Sequence, residues 1–221
     1  MNTIIEINDV CKKFKDHEVL KNVNLKIPRN QITGFIGRNG SGKTVLLKII
    51  AGLLKPSLGN VVIDGETIGI DTDFPKNVGI LFEYDFLPNL TAHENLRIIA
   101  NIDKELDDYD LFKALETVGL RTESKKRYRH FSTGMKQKLR IAQAIMGNPQ
   151  LLILDEPFNG LDVESVKQVR ELLLSLKQAG KTIVLTSHYK EDIDFLCNQV
   201  FLIKDGEISM NNGDVNLEKP H

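Results

Sequence analysis

The chain has only two cysteines in 221 residues, Cys11 and Cys197, far apart and in no CxxC or metal-ligand spacing. That scarcity excludes a disulfide scaffold and a thiolate metal site, and two lone thiols fit a reducing compartment. No apolar run approaches the roughly 20 residues of a membrane-spanning helix, so any membrane role must come through a partner. The start, MNTIIEINDV, lacks a basic segment followed by an apolar one, and no signal peptide is expected. Charge of one sign is lacking too: 29 Lys and Arg stand against 30 Asp and Glu, with a pI near 6.5. Such a balance does not grip DNA or RNA through an overall positive field, and no nucleic-acid partner is expected. Internal repeats and low-complexity segments are absent. What is there, 41% hydrophobic and 27% charged residues, is the composition of a soluble globular protein. Its length suffices for one large domain or a core with an inserted subdomain.

The pattern along the chain is that of an α/β core interrupted by helices. IIEI (4–7), VNLKI (23–27), ITGFIG (32–37) and VGILF (78–82) read as strands, and NVVIDGETI (60–68) as a hairpin on Asp64-Gly65. KTVLLKIIAGLL (43–54) reads as a buried helix ended by Pro56 and Gly59. From 89 to 146 no strand is expected: a capping box at Thr91 and Glu94 opens a helix through Ala100, a second follows over 108–120, and a third begins at FSTGM. The core resumes with LLILD (151–155) and TIVLTSH (182–188), apolar strands of the kind buried in parallel sheets. Between them Asp162 N-caps a helix expected to bury Val163, Val166, Val169, Leu173 and Leu176. A short helix over 191–198 and a closing hairpin around Asp205-Gly206 complete the core, and the tail NNGDVNLEKPH is expected to be mobile. One domain over 1–221 is expected, with 1–88 and 147–221 forming the core and 89–146 a helical subdomain.

Two segments carry chemistry. GRNGSGKT (37–44) fits G-x-x-x-x-G-K-[ST] with a strand before it and a helix after it. The backbone N–H groups from Asn39 through Gly40, Ser41 and Gly42 to Thr44 would cradle phosphates opened by Gly37, Lys43 would reach the β- and γ-phosphates, and Thr44 would ligate Mg²⁺. In LLILDEP (151–157) a carboxylate ends a buried strand, so Asp155 can hold Mg²⁺ through water beside that loop. Glu156 points elsewhere and can polarise an attacking water as general base. FSTGM offers a second helix start with free N–H groups, a natural anion site.

In this order the motifs resemble the ATP-binding cassette ATPases, the nucleotide-binding subunits of ABC transporters, over nearly the whole chain. GRNGSGKT resembles the family's P-loop, LILDE its Walker B strand, FSTGM its signature sequence and NGLD (159–162) its D-loop. His188 falls at the switch histidine, Glu83 at the Q-loop glutamine, and Phe14 at the aromatic on which adenine stacks. The resemblance implies a P-loop NTPase core with a mainly parallel sheet, an N-terminal antiparallel β subdomain and an inserted α-helical subdomain. It implies a head-to-tail dimer around two MgATP, in which Ser132 and Gly134 contact the γ-phosphate of the partner's ATP and Asp162 lies in the D-loop. It also implies an ATPase held at the cytoplasmic face of the membrane by a separate permease. Phe86, Leu87 and Leu90 would lie where family members receive the permease.

The chain departs from the family pattern at Thr133 and Met135 of the signature and at Glu83, whose carboxylate would stand near Mg²⁺. Such variants resemble bacterial efflux-type cassettes, which tilts the reading to export. The alternative is a soluble ABC ATPase of an assembly or remodelling system. His17, His93 and His130 read as unpartnered surface residues, and KKRYRH (125–130) as a solvated loop.

Overall fold

A computed structural model describes residues 3–101 and 106–211, so the tail beyond Asn211 lies outside the described residues. Strands β1 (Thr3–Phe14) and β2 (His17–Pro28) pair antiparallel, and β4 (Leu58–Ile63) and β5 (Glu66–Thr67) extend that sheet in the order β2-β1-β4-β5. Asp64 and Gly65 at the β4–β5 turn take φ of 55° and 84°, the positive values a two-residue hairpin turn needs.

The second sheet has six strands. β3 (Ile32–Ile36), β8 (Thr182–Thr186), β7 (Leu151–Leu154), β6 (Val78–Leu81) and β9 (Gln199–Lys204) are parallel, and β10 (Glu207–Met210) closes one edge antiparallel to β9. Every residue of β3, β7 and β8 is buried, because both faces of the sheet are covered. One face packs on α1 (Lys43–Ile50), which lies between the two sheets among Ile5, Leu20, Phe35, Val61 and Ile153. The other face packs on helices. α2 (Ala92–Ala100), α3 (Asp108–Thr117), α4 (Thr133–Ile145), α5 (Val163–Gln178) and α6 (Lys190–Leu196) share a single apolar cluster with it, spanning Leu96, Leu111, Leu139, Leu152 and Ile183. The helices of 89–146 thus bury their apolar faces against the sheet as well as against one another.

Close approach fixes α4. A Cβ on Gly79 of β6 would stand 1.8 Å from the carbonyl oxygen of Ala144, so only glycine lets helix and strand meet. β3, β6, β7 and β8 all end at one edge of the sheet, where Gly37, Glu83, Asp155 and His188 follow, the edge at which open parallel sheets bind ligands.

Several expectations are corrected. α1 stops at Ile50 rather than 54: Leu53 N–H donates to Lys48 O and Gly52 N–H to Ile49 O, a Schellman closure on Gly52 that precedes Pro56 and Gly59. Val163 is 89% exposed, because α5 buries Ser165, Val169 and Leu173 instead. Phe86 is core, packed edge-on between Tyr84 and Tyr128; of the expected apolar trio Leu87 is exposed and Leu90 partly buried. In KKRYRH, Tyr128 is buried while its charged neighbours face solvent. His93 has a partner, with Nε2 2.8 Å from Asp108 Oδ1 and its ring stacked on Phe112. His130 has one too, accepting at Nε2 from Arg129 Nε at 3.1 Å.

Candidate functional site

The glycine-rich loop leads from β3 directly into α1. Gly42 N-caps that helix at φ 107°, and no side chain caps its first turn, so the N–H groups there face outward. Lys43 is 7% exposed, and its Nζ donates to the carbonyl oxygens of Gly37 at 2.8 Å and Arg38 at 3.3 Å. Among the described residues, the Ser41 hydroxyl is buried with no hydrogen-bond partner, as a loop shaped for an oxyanion would leave it. Thr44 Oγ1 donates to Asp155 Oδ2 at 2.7 Å.

Across the sheet, Thr186 at the end of β8 joins the two acidic residues after β7. Its Oγ1 donates to Asp155 Oδ1 at 2.8 Å and accepts from the Glu156 N–H at 2.8 Å. Glu156 has φ 50°, a left-handed backbone that turns its side chain away from that of Asp155. Its Oε2 lies 2.8 Å from His188 Nδ1 and its Oε1 3.9 Å from Lys43 Nζ. Gln137 of α4, which with Arg140 also lines the cleft, holds the same turn, with Nε2 donating to the carbonyl oxygens of Glu156 and Pro157.

Asn39, Gly40, Gly42, Lys43, Thr44, Glu83, Asp155, Glu156 and His188 line one cleft of about 650 Å³. Gly37 and Ser41 line an adjoining cleft on the other side of the loop. Phe14 is half exposed under the Lys12 ammonium, 5.0 Å from its ring centroid; its strand partner His17 lines the cleft.

The other expected residues, Ser132, Gly134 and Asp162, flank this cleft without lining it: their neighbours Thr133, Asn159 and Gly160 do line it. Ser132 N-caps α4, its hydroxyl accepting from Met135 N–H at 3.2 Å. A Cβ on Gly134 would meet only Gly160 O at 3.4 Å and Leu161 Cδ2 at 3.9 Å, ordinary contacts. Asp162 caps α5, and the bond from Ser165 N–H holds its carboxyl below the usual range.

Sequence reasoning missed Thr186 and Gln137. Each stands out only as a polar side chain on a largely apolar element, a hydroxyl closing β8 and an amide on the buried side of α4, and neither pattern names its partner.

Among the described residues, no cluster of three or more His, Cys, Asp or Glu could hold a metal. The Thr44 hydroxyl and Asp155 carboxylate instead form a hard-oxygen pair suited to Mg²⁺, which takes most of its ligands from phosphate and water.

Residues 20–159 match the family model described as ABC transporter. Over 211 residues the chain is 41% identical to the ABC transporter ATP-binding protein YybJ of Bacillus subtilis, covering 95% of this chain and 94% of that protein. It is 39% identical to the bacitracin transport ATP-binding protein BcrA of Bacillus licheniformis, over 94% of this chain and 69% of the relative. A dimeric post-hydrolysis structure of the ATP-binding cassette MJ0796, bound to ADP and Pi, superposes with a TM-score of 0.83 at 26% identity, covering 95% of this chain and all of that one.

Proposed function

The chain belongs to the ABC transporter family as an ATP-binding, ATP-hydrolysing cassette, and from that premise we propose how its own residues divide the work. The observation that carries the reading is the position of Glu156, whose two carboxylate oxygens face His188 on one side and the P-loop Lys43 on the other.

Lys43 and the N–H groups from Asn39 to Thr44 bind the β- and γ-phosphates of ATP, relieving the carbonyl contacts that now hold the ammonium. Thr44 and Asp155 hold Mg²⁺, with Glu83 at the rim of the same cleft, and the ion when bound neutralises charge on the phosphate oxygens. Glu156 takes the proton of the water that attacks the γ-phosphorus as the bond to the ADP oxygen breaks. His188 orients that carboxylate. Phe14 stacks on adenine at the edge of the β1–β2 hairpin.

The second half of each site comes from another cassette. Ser132 and Gly134 open α4 and are not among the residues lining their own cleft, and in a head-to-tail dimer they meet the γ-phosphate on the partner's P-loop, with Asp162 in the loop between the two sites. Among the described residues, those up to 88 and from 147 on form the nucleotide-binding core, and those within 89–146 the helical part that carries the signature.

Among the described residues no helix is long and apolar enough to cross a membrane, and we place the cassette at the cytoplasmic face through a separate permease. Export is the direction favoured by Glu83 and the STGM form of the signature. Affinity purification of the tagged chain from detergent-solubilised membranes tests this. A co-purifying protein with several membrane spans is the expected result, and a soluble partner alone would establish the assembly-type alternative.

A further inference from the structure

Glu156 occupies a backbone conformation that non-glycine residues adopt only when the surroundings hold them there. Both of its backbone polar groups are pinned. Thr186 accepts from its N–H, and Gln137 donates to its carbonyl at 3.1 Å and to that of Pro157 at 3.0 Å. Gln137 is 3% exposed, so these bonds meet little competition from water even though the residue borders the cleft.

The amide is itself held. Its Oε1 accepts from Arg140 Nη1 at 3.1 Å, which fixes which end faces the carbonyls. Arg140, one turn further along α4, donates from Nε to the Tyr84 carbonyl at 2.8 Å and places Nη2 3.7 Å from Asp85 Oδ1. Asp85 also accepts from the Tyr128 hydroxyl at 2.8 Å. A continuous set of contacts therefore runs from the loop after β6, through two side chains on α4, to the turn that presents Glu156.

We propose that Gln137, braced by Arg140, is a positioning residue for Glu156, tying the carboxylate to α4 and to the Tyr84–Asp85 loop. The proposal rests on the reading of Glu156 as general base. It follows from geometry: a shift of that loop or of α4 moves the guanidinium fork, the fork moves the amide, and the amide moves the Glu156 carbonyl. The same helix begins at Ser132 and Gly134, so whatever engages its start bears on the base of its own cleft.

The test is steady-state ATPase kinetics on the full chain with Mg²⁺. Gln137→Met keeps the packing but removes both donors. It should lower kcat about 10- to 100-fold, the scale of a misplacement near 1 Å, with KM within about twofold. Arg140→Ala should lower kcat by up to about tenfold, and adding it to Gln137→Met should cost nothing more, because it acts through the amide. In a Glu156→Gln background neither change should reduce the residual rate further. That last outcome separates positioning from general weakening of the fold, which would reduce every background alike. Unchanged kcat in Gln137→Met, multiplicative losses in the double variant, or a loss confined to KM would each overturn the proposal. Full turnover in Glu156→Gln alone would instead overturn the reading of the base. If Gln137→Met does not fold, the partly exposed Arg140→Ala, alone and with Glu156→Gln, carries the same comparison.

Discussion

His188 and Glu156, 32 positions apart and following different strands, meet with Nδ1 2.8 Å from Oε2, while the other oxygen of that carboxylate stands 3.9 Å from Lys43 Nζ. One acidic side chain thus faces the histidine on one strand end and the phosphate loop on another. That position suits a group whose task begins once a phosphate occupies the loop.

Replacing Glu156 by Gln keeps the shape and the possibility of a hydrogen bond to His188 but removes the proton acceptor. ATP should bind with wild-type affinity while turnover falls about 10²- to 10⁴-fold, the usual contribution of a general base. Because the γ-phosphate then survives, ATP should trap a dimer visible by size-exclusion chromatography. Turnover lost without a trapped dimer would count against the two-cassette site.

Lys43→Ala removes a charge-assisted contact to the nucleotide, worth roughly 1.5–3 kcal/mol, so MgATP affinity should fall about tenfold to over a hundredfold. It also frees the carbonyls of Gly37 and Arg38, which can turn to water at the open face of the loop. Titration with a fluorescent ATP analogue measures the loss, and an unchanged affinity would remove Lys43 from the site.

Stability should fall on the alkaline side. Burial pushes Tyr84 up to about 12 against the opposing charge of Arg140, and burial with the bond to Asp85 does the same for Tyr128. Burial, then the charges of Asp192 and Asp194, push the Cys197 thiol up to about 12. In the unfolded chain these groups titrate near 10.0 and 9.0. Between those values and about 12 the folded protein binds more protons than the unfolded one, so stability is fully present below pH 9 and is lost as pH rises through this window. Urea midpoints measured from pH 8 to pH 11 should decline, and less steeply in Tyr128→Phe. A flat profile would mean that these groups are solvated.

Much of this was legible in the sequence because the chemistry leaves little freedom. A phosphate loop needs its glycines, Lys43 and Thr44 in fixed order, and a strand buried on both faces needs the unbroken apolar run of LLIL. Local caps were legible as well, since Thr91, Ser132 and Asp162 each accept from an N–H three residues on. Long-range polar contacts were not. Thr186 finds its partners 30 and 31 positions away and Gln137 its carbonyls 19 and 20 away, and nothing in the local pattern encodes that meeting. Aromatics near charges misled in the same way: Phe86 and Tyr128 read as surface from their neighbours, yet each is the other's packing partner.

Gly134 offers the sharpest test of the dimer. In this chain a Cβ there would meet only ordinary contacts with Gly160 and Leu161, and Gly134 has no positive φ, so the local fold leaves room for more than glycine. If the demand for glycine comes from outside, from the γ-phosphate on a partner's P-loop, a side chain blocks the approach and an aspartate adds like-charge repulsion. Gly134→Asp should therefore bind ATP on its own P-loop nearly as tightly as the wild type while losing both dimer formation and hydrolysis. Mixing it with Lys43→Ala sharpens the result. In that heterodimer one composite site carries both lesions and the other carries neither, so at ATP concentrations too low to fill the Lys43→Ala site, hydrolysis by the mixture should exceed that of either variant alone. A Gly134→Asp protein that hydrolyses ATP at the wild-type rate would mean that this helix start is a cap and nothing more.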